Sequence, residues 1–284
     1  MSTKPRSLVL DVCGEYLRYV AGDVRQQQFT ALLGDFGVAA ATVRVTIARL
    51  RDEGWFTSRR VGRETVFRLT DHMTSVLDEG RARIFAAPAR AWERQWTMVI
   101  YQLSEAERTE RNQLRKALAW HGFGPLGTST WIAPGDRRLE ARALVDEMAT
   151  DQVDILLCQS EGPHNDREMA ARCWDMQTLN KEYDRFIQSH EVLAAAADRL
   201  TGRDALHART ELIHAFRHFP FLDPRLPEEL RPDPWLGEDA HLLFRRAYDA
   251  LGPAARAHVG DLIGAEVPAP PEPEPLSVLS RPAG

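Results

Sequence analysis

Between residues 40 and 53, AATVRVTIARLRDE, apolar positions recur at Val43, Ile47 and Leu50. At about 3.6 residues per turn these stack on one helical face. Thr42, Val45 and Arg49 fall on the other face, with Ala41 and Ala48 beside them and Arg44 and Arg51 at its flanks. Such a face suits the DNA major groove, because Arg can fork onto guanine and Thr, Ala or Val can touch thymine methyls. A surface helix with solvated arginines would show the same pattern, so the flanking segments decide. Residues 7–20 repeat Leu8, Val12, Leu17 and Val20, and residues 26–36 repeat Phe29, Leu32, Leu33 and Phe36. Gly37 stands where the second of these helices needs a left-handed residue to end on. Only Val38-Ala39 then separates it from the 40–53 helix, which has no Ser, Thr, Asp or Asn at its expected N-cap. Two helices joined by so short a turn predict a helix-turn-helix.

Gly54 ends the third helix. Residues 55–58 and 64–69 are rich in aromatic and β-branched side chains and predict two strands. Arg59-Arg60-Val61-Gly62-Arg63 between them predicts a basic hairpin tip, whose Arg59, Arg60 and Arg63 can reach phosphates or a minor groove. Three helices and a basic hairpin together predict a winged helix-turn-helix over residues 1–70. Residues 71–87 continue as a linking helix with Met73, Val76, Leu77, Gly80 and Ile84 on one stripe, stopped by Pro88.

From Trp96 the period changes. WTMVIYQL (96–103) predicts a strand, and Ser104 with Glu107 a capping box for a helix through Trp120. Short strands near Leu126 and over 130–133, a helix over 138–149 and a strand over 153–158 complete a ferredoxin-like order. Residues 167–200 and 205–216 read as helices. The proline-punctuated 218–235 reads as irregular, 238–251 and 254–263 as two last helices, and the Pro-rich end from 268 as disordered. The expected fold is therefore α+β. It comprises the winged domain (1–70), a linker helix (71–91), a ferredoxin-like domain (92–160), an α-helical domain (161–265) and a tail (266–284).

The chain has 284 residues, 44% hydrophobic and 27% charged. No apolar run approaches the roughly 18 residues a membrane helix needs, and the start is a poor signal peptide. Three scattered cysteines without a CxxC pair argue for a reducing cytoplasm. The net charge of −5 looks wrong for a DNA binder until it is divided. Residues 1–70 hold eleven Lys and Arg against seven Asp and Glu, a balance of +4, which leaves −9 on the remainder. A basic module on an acidic body is what a chain meeting phosphate at one end requires.

Five stretches carry a resemblance: VRVTIARLRDEGW (43–55), RRVGRETVFRLT (59–70), WERQWTMVIYQL (92–103), LRKALAWHGFGPLGTSTWIAP (114–134) and RTELIHAFRHFPFLDPRLPEELRPDPWLG (209–237). On these the chain resembles the PaaX family of bacterial transcriptional regulators. The resemblance implies a winged helix, a middle ferredoxin-like domain and a helical C-terminal domain. It also implies a homodimeric repressor of aromatic-acid catabolism genes, released from operator DNA by phenylacetyl-CoA or another acyl-CoA. Carried over by position, the DNA-reading residues are Thr42, Arg44, Val45 and Arg49, with Arg59, Arg60 and Arg63 in the wing.

An acyl-CoA effector needs cations for its phosphates and apolar surface for its acyl group. Arg209, Arg217 and Arg225, with Phe219 and Trp235, offer both, although the same segment could simply pack the C-terminal domain. His214 and His218 share a helical spacing, but no third ligand accompanies them and metal binding is not expected. The middle domain resembles small CRISPR-associated nucleases, which want a carboxylate at the end of the first strand. Here that position reads Tyr101-Gln102-Leu103, and an amide is a poor Mg²⁺ ligand. No GxSxG, Walker or dinucleotide fingerprint is present. The expectation is a non-enzyme without cofactor or catalytic residues. The rival readings are a metal-dependent nuclease and a ligand-independent DNA-binding activator.

Overall fold

Pro5, at the first turn where a missing amide costs nothing, opens helix α1 (Pro5–Glu15) in a computed structural model of the chain. The structure describes residues 4–86, 92–104, 107–146 and 152–272. A 3₁₀ turn (Leu17–Tyr19) follows α1, so the single helix expected over 7–20 is shorter and tighter at its end. Next come β1 (Val24–Arg25), α2 (Gln26–Asp35) and α3 (Ala40–Asp52). Gly37 has φ +79° between the two helices, the left-handed geometry its position demands. The hairpin β2 (Phe56–Val61) and β3 (Glu64–Leu69) pairs in register from Phe56↔Leu69 to Val61↔Glu64, and β1 adds to the far side of β3. Arg59, Arg60 and Val61 therefore belong to the strand, and the turn itself is Gly62-Arg63. Gly62, at φ +62°, supplies the positive φ that a two-residue hairpin loop asks of its first residue.

The chain forms two compact units, neither contiguous in sequence. The first joins residues 1–85 to 186–217 and 239–274. It contains α4 (Asp71–Phe85), most of α8 (Met176–Ala196), α9 (Gly202–Phe216) and α11 (Gly237–Ile263). Its core merges Val9, Val12, Phe29, Ile47 and Phe56 of the first segment with Leu206 of the second and Ala255, Val259 and Ile263 of the last. The two final helices expected from the sequence are one. Pro253 sits inside α11, where it forfeits a backbone hydrogen bond. The stripe Ala240, Phe244, Ala247, Tyr248, Leu251, Ala255, Val259 and Ile263 is buried without interruption, and this burial outweighs that loss.

The second unit holds residues 86–185 and 218–238. Its sheet has the order β5-β6-β4-β7, all neighbours antiparallel: β4 (Trp96–Tyr101), β5 (Gly124–Pro125), β6 (Thr130–Pro134) and β7 (Val153–Cys158). Helices α5 (Arg108–Trp120) and α6 (Arg138–Asp146) cover one face through Leu114, Leu118, Leu144 and Val145 against Val99, Tyr101 and Trp131. Period 2 sends Trp96 to the other face, where its indole donates to Asp166 of α7 (Pro163–Cys173) at 2.8 Å. Half of the expected capping box is made, the Ser104 amide donating to the Glu107 carboxylate at 2.9 Å; the Ser104 hydroxyl donates to the same carboxylate at 2.7 Å, and α5 itself opens at Arg108. Two expected features, the stop at Pro88 and most of the tail, lie outside the described residues.

Candidate nucleic-acid interface

Helix α3 divides as its periodicity predicts. Val43, Ile47 and Leu50 are buried, while Thr42, Arg44, Val45 and Arg49 are exposed. Val45 is 51% exposed, a β-branched apolar side chain held out in water on an otherwise polar face. The carboxylates at the end of the helix are already paired, Glu53 at the edge of the groove that this face borders. Asp52 takes Arg51 at 2.8 Å and Glu53 pairs with Arg6. Among the described residues Arg44, Arg49, Arg60 and Arg63 have no carboxylate within ion-pairing distance. Their charges remain free for an external anion.

The start of α1 runs alongside this face. Lys4, Pro5 and Arg6 with Ala41, Thr42, Val45 and Arg49 line a groove of about 660 Å³. Lys4 and Arg6 were not among the expected interface residues, and only packing brings them there. The one sequence signal was Pro5, which starts α1 and so places Lys4 just outside it. Arg59 behaves differently from its hairpin neighbours. Its guanidinium and that of Arg68 both bond Asp23, at 2.8 and 2.7 Å. These two hydrogen bonds hold the Asp23 carboxyl below its ordinary pKa. The pair staples β2 and β3 to the chain just before β1, so Arg59 contributes to the shape of the hairpin as well as to its charge.

With this geometry in view, comparison with known proteins identifies the lineage. Residues 4–73 match the family profile described as PaaX-like protein. Residues 89–170 match the PaaX protein central Cas2-like domain, and 174–261 the PaaX-like protein C-terminal domain. The chain is 32% identical over 278 residues to the transcriptional repressor PaaX of Escherichia coli (strain K12), covering 93% of this chain and 86% of that protein. The chain belongs to the PaaX family. A solved structure titled uncharacterized protein Rv0674 from Mycobacterium tuberculosis superposes on this PaaX-family chain with a TM-score of 0.64. At 24% identity, over 92% of this chain and 99% of that one, it speaks for the fold alone.

The five residues put forward for an effector do not share one compact unit of this PaaX-family chain. Arg209 and Arg217 lie in the first. Arg209 is 1% exposed; its guanidinium meets Glu15 at 3.1 Å and lies 4.0 Å from the Tyr248 ring centroid. Arg217 meets Asp11 at 3.0 Å, and His214 bonds the same carboxylate at 2.9 Å. These cations already face carboxylates of α1. Phe219, Arg225 and Trp235 lie in the second unit. There Tyr183 stacks on Phe219 with centroids 4.3 Å apart and meets Trp235 edge-on at 5.4 Å. Its hydroxyl donates to Asp223 at 2.9 Å, and the Arg225 amide donates to the same carboxylate at 2.7 Å. Loss of water raises the Asp223 pKa, partly offset by those bonds. Tyr183 and Asp223, which organise this cluster, carried no motif in the sequence.

Among the described residues no group of three or more His, Cys, Asp or Glu is arranged to hold a metal ion, and no helix is long and apolar enough to cross a membrane.

Proposed function

We propose that this chain is a cytoplasmic, DNA-binding transcriptional repressor in which residues 1–70 act as a winged helix-turn-helix. The observation that carries the reading is the exposed face of α3, where Thr42, Arg44, Val45 and Arg49 meet solvent and, among the described residues, Arg44 and Arg49 have no carboxylate within ion-pairing distance. On this reading α3 enters the major groove, Arg44 and Arg49 read base edges, and Thr42 and Val45 meet thymine methyls. Arg60 and Arg63 at the hairpin engage backbone phosphates. The name of the Escherichia coli relative supports repression.

We read residues 71–91 as the linker, 92–160 as a ferredoxin-like domain, 161–265 as a helical domain and 266–284 as a tail. A homodimer would set two α3 helices one DNA turn apart, about 34–36 Å, over an approximate palindrome. The family resemblance adds aromatic-acid catabolism genes as targets and an acyl-CoA, such as phenylacetyl-CoA, as the releasing effector. Of the residues first considered for it, Phe219, Arg225 and Trp235 keep a shared surround, whereas Arg209 and Arg217 are already charge-matched. The middle domain carries the amide of Gln102 where a metal-dependent nuclease wants a carboxylate, and this supports a scaffold in place of an enzyme.

The direct test is a gel-shift titration of the Arg49→Ala protein on its operator. Specific affinity is expected to fall by about 1–3 kcal/mol with a relaxed preference at one base pair. Unchanged affinity would remove α3 from the groove.

A further inference from the structure

A helix lying in the DNA major groove, which is about 12 Å wide, has a sugar-phosphate strand on either side of it. The flanks of α3 therefore matter to DNA as much as its outermost residues. At about 3.6 residues per turn, Thr42, Thr46, Arg49 and Glu53 run down one flank and Arg44 and Arg51 down the other, with Val45 between them. The start of α1 lies along the first of these flanks. Lys4, Pro5 and Arg6 share the groove of about 660 Å³ with Thr42, Thr46, Arg49 and Glu53.

The two cations that α1 brings there differ in state. The Arg6 guanidinium pairs with Glu53 and lies 5.8 Å from the centroid of the Trp55 ring. Its charge is matched within the protein, and its contacts tie the start of α1 to the end of α3. Lys4 is exposed and, among the described residues, has no carboxylate within ion-pairing distance. Its backbone is nevertheless fixed, because the Leu8 amide donates to the Lys4 carbonyl at 3.1 Å and closes the first turn of α1. An ammonium on a flexible stem is a compact charge that meets a phosphate without demanding one geometry. Between the cations and α3, Pro5, Ala41 and Val45 give the groove apolar surface, which suits the sugar of a nucleic-acid strand.

We infer that the groove between α1 and α3 seats one sugar-phosphate strand of duplex DNA, with Lys4 as its phosphate contact. The inference rests on the DNA-binding reading above and deepens it. A segment that precedes the helix-turn-helix grips the backbone beside α3, while Arg60 and Arg63 act from the hairpin. The contact is to phosphate, so it serves operator and unrelated DNA alike.

The test uses the full chain and a labelled DNA duplex of random sequence, with binding followed by fluorescence anisotropy across a sodium chloride series. Lys4→Gln should weaken binding and lower the slope of log affinity against log salt by about 1, the mark of one lost phosphate contact. Lys4→Arg keeps the charge and should keep the slope. The Lys4 side chain is exposed and lies outside α1, so neither change disturbs the core. Arg63→Ala is measured in parallel. A lower slope for Arg63→Ala with none for Lys4→Gln would overturn this inference and leave the DNA-binding reading standing. An unchanged slope in both would overturn the two together, and a Lys4→Arg slope as low as that of Lys4→Gln would show that charge at this position is not what DNA meets.

Discussion

Among the described residues Arg49 and Arg63 both lack an ion-pair partner, yet their settings differ. Arg49 projects from a helix face flanked by Thr42 and Val45, a mixed surface able to discriminate between bases. Arg63 sits at the two-residue tip of the hairpin, a position suited to a backbone phosphate. Arg63→Ala is accordingly expected to weaken binding to operator and to unrelated DNA alike. It should also lower the slope of log affinity against log salt by about 1, in titrations across a salt series. At this scale the sequence was a good guide where a residue's role follows from a helical or strand face. Thr42, Arg44, Val45 and Arg49 emerge exposed as their spacing predicts. It was a poor guide to charges that find partners at long range. Nothing near Arg209 in the chain announces Glu15, and nothing near Arg59 announces Asp23.

At the level of elements, the boundaries set by backbone chemistry were the legible ones. Gly37 and Gly62 adopt the positive φ their positions call for, and α3 begins where the turn releases it. Ala39, the N-cap residue just before α3, is extended, φ −60° and ψ 141°, and supplies no side-chain cap. A hydroxyl there can accept from one of the unmatched amides of the first turn. Ala39→Ser should therefore stabilise the protein by about 0.5–2 kcal/mol in urea unfolding. Because Ala39 is exposed, no packing is disturbed. The division into helices 238–251 and 254–263 does not hold, because the cost of Pro253 is local while the gain that offsets it is tertiary. A buried stripe running from Ala240 to Ile263 was present in the sequence, but the surface that covers it was not.

Across the whole molecule the first unit is held by groups drawn from both ends of the chain. Glu15 of α1 accepts from Arg209 of α9 and, at 2.8 Å, from the Tyr248 hydroxyl of α11. Removing one side of a buried pair leaves the other charge uncompensated. Arg209→Met should thus destabilise the protein by about 3–5 kcal/mol. The double variant Glu15→Gln/Arg209→Met should recover part of that loss, as measured by urea unfolding of each. The sequence supplied the helices that take part, but periodicity carries no information on which distant stripe a given stripe meets.

That closure has a consequence for biosynthesis. Ribosomes release α3 long before Ala255, Val259 and Ile263, so during most of translation the apolar surface that those residues cover under α1–α3 stays open. A nascent or prematurely terminated chain ending near residue 85 would leave bare the apolar surface that Leu206, Ala255, Val259 and Ile263 cover.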